Sequence, residues 1–288
     1  MLKALSFRHW HTTCITYIGK STGKGKSMMS EYSNVTVENH IAVLEIDHAP
    51  ANALSSHVIQ ELRDEVRKLG EQDDVHAIII TGKGRFFVAG ADIKEFIPAM
   101  GNDENGLNMA KAGQALCDEI EALRKPVIAA VNGPALGGGL EIALGCHVRL
   151  ASEKAILGLP ELNLGLIPAF GGTQRLARLT NEAVALDLIL SGRHISAAEA
   201  KDLHIVQYVV PGEELLEKAK EVAASYVSAH SNTSISRAMK AVQEGLATSL
   251  EEGLKVEREM FAELFLTEDA KEGVTAFSEK RAAEFKHK

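Results

Sequence analysis

Apolar residues come in short blocks separated by amphipathic stretches, a pattern that predicts buried strands alternating with helices. The continuous apolar blocks at 77–81 and 126–131 are typical of strands buried on both faces. Segments 35–37 and 41–46 predict a hairpin, since a short polar turn separates them. Beyond residue 213 the pattern is helical, with predicted breaks near His230, Thr248 and Thr267. This order indicates an α/β core, here assigned to 30–211, and a C-terminal helical region over 212–288.

Other segments are assigned by their turn and capping residues. Ser55 or Ser56 predicts the cap of a helix that ends near Gly70. Residues 85–96 predict a strand that turns at Gly90 into the start of a helix. Residues 101–108 are rich in Gly and Asn and predict a loop. A last strand is predicted over 205–210.

The segment Asn132-Gly-Pro-Ala-Leu-Gly-Gly-Gly-Leu-Glu141 follows a predicted strand and opens a short apolar helix. Glycine lets the backbone approach a ligand closely, and the amides of a first helical turn have no partner inside the helix. Because the positive end of the helix dipole lies behind them, these amides suit an oxygen that gains negative charge. Gly138 and Glu141 share one helix face, which places a carboxylate about 5 Å from that donor. The spacing predicts an active site.

A second carboxylate, Glu161, follows in the segment Leu159-Pro-Glu-Leu-Asn-Leu-Gly165. The interval between Glu141 and Glu161 is long enough for a helix, a strand over 148–151 and a turn that brings the chain back toward Glu141. Two carboxylates that face one oxyanion site can divide acid and base work on a bound water. Glu161 alone could be a helix-start charge favoured by the dipole. Its pairing with Glu141 favours the catalytic interpretation.

Composition narrows the classes of function. The chain has 288 residues, 45% of them hydrophobic and 24% charged, which is ordinary for a globular protein. Its formal net charge is −8, and the first 30 residues contain basic side chains and no acid, so the remainder is more acidic still. This argues against sequence-independent nucleic-acid binding, which needs a cationic surface. Three widely spaced cysteines predict neither a disulfide framework nor a zinc site, and no apolar run is long enough to span a bilayer.

Residues 1–29 differ from the rest, because they are basic, rich in Ser, Thr and Gly, and without a sustained period. We predict a disordered or non-native N-terminal extension. Either translation starts at Met28 or Met29, or the segment is an organelle transit peptide. A single arginine and the lack of a clear amphipathic face favour the first interpretation. The expected location is therefore the bacterial cytoplasm, or the mitochondrial matrix if the segment is a transit peptide.

Five collinear segments carry a resemblance to a known family. By these segments the chain resembles the enoyl-CoA hydratase/isomerase (crotonase) family, and within it the enoyl-CoA hydratases of fatty-acid β-oxidation. The similarity runs from about Val35 to the end of the chain. Five blocks with matching spacing are far more specific than one glycine triplet. They are Pro50-Ala-Asn-Ala-Leu54, Phe87-Val-Ala-Gly-Ala-Asp-Ile-Lys-Glu95, the glycine-rich segment that ends at Glu141, the segment around Glu161, and Gly171-Gly-Thr-Gln-Arg175.

The resemblance implies a crotonase-like α/β fold, a spiral of ββα units whose C-terminal helical region builds homotrimers, commonly stacked as homohexamers. It implies an acyl-CoA thioester as substrate and no membrane or nucleic-acid partner. It implies neither a metal nor a redox cofactor, because coenzyme A is part of the substrate.

The resemblance also assigns the residues of the site by position. The backbone amides of Ala91 and Gly138 would form an oxyanion hole for the thioester oxygen. Glu141 and Glu161 would flank the water that adds to the enoyl double bond. Among the substrate-binding positions, Lys94 would contact CoA phosphates. Phe277 and Lys280 match positions that sometimes reach CoA from a neighbouring subunit. The implied substrate-binding residues are Ala89, Asp92, Ile93, Lys94, Gly137, Phe277 and Lys280.

One departure from the family pattern and several alternatives remain open. Ala169-Phe170 stands where many hydratases carry Gly-Ala, beside the implied water site, so Phe170 can reshape the acyl pocket. An isomerase, decarboxylase or thioesterase on the same scaffold is an alternative, although the presence of both carboxylates favours hydration. A non-catalytic or RNA-binding member would need a basic surface. The acidic body offers none beyond Arg175, Arg178 and the N-terminal tail.

Overall fold

The computed structural model describes residues 26–287, and within them the chain alternates strands with helices. The strands are β1 (Lys26–Met29), β2 (Ser33–Glu38), β3 (Ile41–Ile46), β4 (Ala77–Gly82), β5 (Val127–Val131), β6 (Ala135–Leu136), β7 (Val148–Ser152), β8 (Ile156–Gly158), β9 (Ile195–Ser196) and β10 (Tyr208–Val210). The helices are α1 (Ser56–Glu71), α2 (Ile93–Ala99), α3 (Asp103–Ala122), α4 (Gly138–Gly145), α5 (Gly172–Leu179), α6 (Glu182–Ser191), α7 (Ala197–Asp202), α8 (Leu215–Val227), α9 (Asn232–Leu246), α10 (Leu250–Leu264) and α11 (Glu268–Glu279). Short 3₁₀ turns lie at Glu161–Leu164 and Gly212–Glu214.

Seven strands form the main sheet, in the order β1-β2-β3-β4-β5-β7-β10. The first three strands are antiparallel, and every pair from β3 to β10 is parallel. The predicted hairpin is confirmed, with Ser33 opposite Ile46 and Glu38 opposite Ile41. All residues of β4 and β5 are buried. Such burial on both faces matches the continuous apolar blocks from which these strands were predicted.

Helices cover both faces of this sheet. Because side chains alternate along a strand, Ile79 and Ile128 face one way and pack in a cluster with residues of α8 such as Leu215 and Val222. The neighbouring side chains, including Ile78, point to the opposite face and join the larger core with residues of α1, α3 and α4. The sheet is therefore a rigid platform on which α4 is held.

The chain leaves β5 and enters α4 through β6, the first strand of a small second sheet. In this sheet β6 pairs with β8 in parallel and β8 pairs with β9 in antiparallel fashion. Every residue of α4 is buried. The predicted apolar helix after the glycine triplet is thus confirmed, and the small sheet, which the sequence pattern did not indicate, supports its entry.

Three predicted elements differ from the structure. Residues 85–90 form no strand ladder, because the side-chain amide of Asn52 occupies the carbonyls of Lys83, Phe86 and Phe87 at 3.0–3.2 Å. Residues 103–108 belong to α3 and not to a loop, because the Asn102 side chain caps that helix. The last strand covers only Tyr208–Val210, since the two preceding apolar residues bond back to α7.

Residues 26–29, which the sequence analysis placed in the N-terminal extension, form β1, which pairs with β2 at the edge of the main sheet. Residues 1–25 lie outside the described residues. From residue 212 to Glu279 the chain is helical, with its breaks where they were predicted, whereas residues 281–287 form no helix. No helix within residues 26–287 is long and apolar enough to cross a membrane. The α/β fold with a C-terminal helical region is confirmed.

Candidate active site

The site is built around the start of α4. Gly137 precedes the helix with a φ of 51°, and its N–H donates to the Gly158 carbonyl at 2.9 Å. A Cβ on Gly137 would lie 2.6 Å from Oε1 of Glu161, so both the backbone conformation and the space require glycine. Gly138 follows as the first helical residue, and its N–H has no hydrogen-bond acceptor within residues 26–287. A free amide donor therefore lies at the helix start, as predicted.

The loop that contains Ala91 runs beside this helix start. Leu54 bonds to both neighbours of Ala91: its N–H donates to the Gly90 carbonyl and its carbonyl accepts from Asp92, each at 2.9 Å. In an extended segment successive N–H groups point to opposite sides, so the Ala91 N–H points away from Leu54. That N–H has no acceptor in the described part of the chain. Because the Gly90 Cα would be 4.0 Å from a Cβ on Gly137, the two loops with free amides lie side by side.

Glu141 lies one turn along α4 and is 2% exposed. Its Oε1 accepts the Gly172 N–H at 2.6 Å, and the Phe170 N–H also donates to this carboxyl group. Burial raises the pKa of Glu141 to about 8, and the nearby charge of Glu161 adds to the rise. The two backbone donors and Arg175 act in the opposite direction. The carboxyl group is thus buried with donors that favour its ionised form.

Glu161 begins the 3₁₀ turn that follows β8 and faces the same helix start. Its Oε1 lies against Gly137, and its buried Oε2 has no hydrogen-bond partner within the described residues. Burial raises the pKa of Glu161. Two interacting carboxyl groups with raised pKa values titrate as a pair. A pair of this kind can accept a proton at one carboxyl group and release one from the other.

An apolar cleft of about 570 Å³ is linked to this region through Phe170, whose ring would lie 3.2 Å from a Cβ on Gly138, while neither Glu141 nor Glu161 lines the cleft. It lies between α2, α3 and the segment 166–170, and Phe170 forms part of its wall. A second cavity, of about 480 Å³, lies elsewhere and contains none of the predicted site residues. Side chains that line the first cleft include Phe96, Met100, Met109, Leu166 and Ile167.

The predicted substrate-binding residues fall into two groups. Near the site, Asp92 caps α2 by accepting the Lys94 N–H at 3.0 Å, and the exposed Lys94 ammonium makes no ion pair within residues 26–287. Ala89 lies in the loop that contains Ala91, Ile93 begins α2, and Gly137 precedes α4. By contrast, Phe277 is 86% exposed near the end of α11, and Lys280 is the exposed residue after it. No hydrogen bond in the described chain joins Phe277 or Lys280 to the site, and their roles stay predictions.

The sequence analysis missed the groups that position Glu141. Gly172 and Phe170 contribute backbone N–H groups, which carry no side-chain signal. Arg175 holds this loop by donating to the Phe170 carbonyl at 3.2 Å and by pairing with Asp118 and Glu121, both on α3. Residues 171–175 were recognised as a conspicuous block. Only the structure shows that the block supports a carboxyl group 30 residues upstream.

A buried carboxyl pair beside free backbone donors is an arrangement that can polarise a carbonyl group and move protons. Residues 36–288 match the family described as enoyl-CoA hydratase/isomerase. The chain belongs to this family and has the crotonase-like fold.

Relatives of this chain match it over nearly their whole length. It is 48% identical over 254 residues to a Bacillus subtilis protein named "Probable enoyl-CoA hydratase", covering 88% of this chain and 98% of that protein. It is 41% identical over 258 residues to the Clostridium acetobutylicum protein named "Short-chain-enoyl-CoA hydratase", with coverage of 88% and 98%. The crystal structure of an enoyl-CoA hydratase from Bacillus anthracis superposes with a TM-score of 0.84 at 37% identity, over 90% of this chain and all of that one. The chain is therefore an enzyme of this class.

The raised pKa of Glu141 predicts a measurable effect on stability. The folded protein disfavours the ionised form, so this group destabilises it progressively as pH rises from about 4.5 to 8. Glu141→Gln removes the ionisation while its side-chain oxygen can still accept the Gly172 N–H. We expect the variant to gain about 3 kcal/mol over wild type between pH 5 and pH 8. Urea unfolding across this range measures the difference. Parallel pH curves for the two proteins would mean that the carboxyl group is not buried as described.

Proposed function

We propose that the chain is an enoyl-CoA hydratase, which adds water across the 2,3 double bond of an enoyl-CoA thioester to give a 3-hydroxyacyl-CoA. One observation carries this proposal: Glu141 and Glu161 converge on the helix start that also presents the free N–H of Gly138, beside the free N–H of Ala91. The names of the relatives described above agree with it.

In this proposal the thioester oxygen accepts hydrogen bonds from the Ala91 and Gly138 amides. Negative charge that develops on this oxygen during the reaction is stabilised by two fixed donors and by the positive end of the α4 dipole. Withdrawal of charge toward the oxygen makes the β carbon of the alkene electrophilic. No step requires a metal ion or a redox cofactor, and coenzyme A enters as part of the substrate.

The two carboxyl groups divide the proton transfers. Glu141 is the base, because two backbone N–H groups orient its carboxylate and its raised pKa makes that carboxylate a stronger proton acceptor. It takes a proton from water as the water oxygen bonds to the β carbon. Glu161 is the acid, because its Oε2 is buried without a donor, which favours the protonated form. It delivers its proton to the α carbon of the enolate, and exchange with solvent then restores the starting protonation.

The protein also offers surfaces for the acyl chain, the CoA phosphates and the thioester end of the substrate. The apolar cleft next to Phe170 suits the acyl chain, because its lining offers aliphatic, aromatic and thioether side chains. Lys94 at the first turn of α2 is exposed and free to contact a CoA phosphate. Ala89, Asp92, Ile93 and Gly137 would border the thioester end of the substrate.

We further propose a homotrimer or homohexamer, built through the C-terminal helices. Several large apolar side chains of this region are exposed, which favours association. In such an assembly Phe277 and Lys280 would contact CoA bound to a neighbouring subunit. The proposed location stays the bacterial cytoplasm. The exposed set is Leu216, Val242, Leu246, Leu250, Leu254, Phe261, Phe265, Leu266, Val274 and Phe277.

The proposal is tested with the full-length protein and crotonyl-CoA. Hydration removes the conjugated double bond, so the enoyl absorbance should fall, and 3-hydroxybutyryl-CoA should appear by mass spectrometry. An isomerase would instead convert 3-enoyl-CoA to 2-enoyl-CoA and leave crotonyl-CoA unchanged. Free CoA without a hydroxyacyl product would indicate a thioesterase. Either of these results, or no reaction with any enoyl-CoA, would overturn the hydratase assignment.

A further inference from the structure

The ring of Phe170 occupies a defined place between two helices. It is 7% exposed. A Cβ built on Gly113 of α3 would lie 2.1 Å from the ring, so the ring is packed directly on the backbone of that helix. On its other side the ring would be 3.2 Å from a Cβ on Gly138, the residue whose free N–H begins α4. Phe170 therefore lies between α3 and the proposed oxyanion donor.

The backbone of Phe170 is fixed from three directions. Its N–H donates to Glu141, and its carbonyl accepts from Arg175 at 3.2 Å. The preceding carbonyl, that of Ala169, accepts from Gln114 of α3 at 2.9 Å. With Gly113 and Gly138 on either side, the ring has one open direction, which is the apolar cleft that it lines. The ring cannot retreat without displacing one of these neighbours.

We infer that Phe170 determines acyl-chain specificity, by forming a wall at the inner end of the cleft that favours short enoyl groups over long ones. This inference rests on the proposed function. The thioester carbonyl would be held at Gly138 and the reacting carbons beside Glu141, so the acyl chain meets the Phe170 ring as it leaves the reacting carbons. A short chain ends before the ring, whereas a long chain must bend past it to reach the space along Met100, Met109 and Ile167.

Gly113 controls the position of this wall. Any side chain at residue 113 would overlap the ring, and the displaced ring would move toward the cleft, its open direction. Phe170→Ala and Gly113→Ala are therefore expected to change specificity in opposite directions. The first removes the wall and keeps the backbone N–H that donates to Glu141. The second pushes the wall farther into the path of the chain.

The test compares kcat/KM for trans-2-decenoyl-CoA with that for crotonyl-CoA on the same protein preparation. The ratio cancels differences in folded fraction between variants. We expect Phe170→Ala to raise the ratio by about tenfold or more and Gly113→Ala to lower it by a similar factor, since a change of one methylene in an apolar pocket is worth about 10–200-fold. The double variant should behave like Phe170→Ala alone, because the added Cβ then has no ring to displace.

Lys111→Ala is the control, on the same helix. Lys111 is exposed, does not line the cleft and makes no ion pair within residues 26–287, so the ratio should stay within about twofold of wild type. The inference is overturned if Phe170→Ala and Phe170→Leu both leave the ratio unchanged. It is overturned equally if Gly113→Ala lowers the ratio as much in the Phe170→Ala background as in wild type. Failure of the proposed function would look different, because wild type would then hydrate neither substrate.

Discussion

Glu141→Gln and Glu161→Gln are each expected to lower kcat for crotonyl-CoA hydration by about 10²–10⁴-fold, the usual contribution of a positioned acid or base. Glutamine keeps the size of the side chain and cannot exchange the proton that the reaction needs. KM should change little, because neither carboxyl group holds the CoA portion of the substrate. Initial rates at the enoyl absorbance band, with CoA-ester binding measured separately, give both values.

The two substitutions should differ in their effects on the folded protein. Glu141 accepts the Gly172 N–H at 2.6 Å, and the amide oxygen of glutamine can take over this bond. Glu161 has an unpartnered buried oxygen, so its replacement loses no hydrogen bond there. We therefore expect loss of rate without loss of stability. If a Gln variant unfolds, the Asp variant at the same position is measured in its place. Asp keeps the charge and moves the carboxyl group by one methylene.

A buried glutamate outside the site serves as the control. Glu65 on α1 is 8% exposed, and its carboxyl group bonds to Ser30 and Lys68. Glu65→Gln should leave kcat close to the wild-type value, so a loss of rate is specific to the two site carboxyl groups. If either Glu141→Gln or Glu161→Gln keeps full activity, its proposed role is wrong.

The sequence predicted well those elements whose formation depends on local pattern. The apolar block that became β4 is buried along its length, and the Ser55 side chain caps α1 by accepting the Val58 N–H at 3.3 Å. Both outcomes follow from residues near in sequence. The breaks between the C-terminal helices were predicted for the same reason, because turn and capping residues mark them.

One element that the sequence mispredicted depends on distant partners. Residues 85–90 read as a strand, yet the amide of Asn52 takes the carbonyls that a strand ladder would need. The site likewise contains contacts between distant residues that the sequence could not predict. Side chains such as Glu141 could be proposed from a motif, whereas the N–H of Gly172 became a partner of Glu141 only through folding. The same holds for the contact of Phe170 with Gly113, since these residues lie on separate elements.

Removal of the Gly138 N–H is expected to lower kcat by about 10²–10³-fold, the usual loss of one oxyanion donor. Gly138→Pro achieves this removal with little harm to the helix. Gly138 is the first residue of α4, a position where proline is well tolerated because the N–H has no partner inside the helix. Gly137 before it is not in the α region, as its φ of 51° and ψ of −124° show, so a following proline does not conflict with it.

Gly138→Ala is the matched control, because it adds a Cβ and keeps the N–H. In both variants that Cβ would lie 3.1 Å from Leu54 and 3.2 Å from Phe170, so the two variants share the steric cost of the Cβ. The ratio of kcat between them therefore reports the replacement of the N–H hydrogen by the proline ring at the proposed oxygen site. The loss should appear mainly in kcat, since the donor interacts more strongly with the developing negative charge than with the neutral carbonyl. Equal rates for the proline and alanine variants, with equal thermal stability, would mean that the oxygen is held elsewhere and that the free amide at the start of α4 has another purpose.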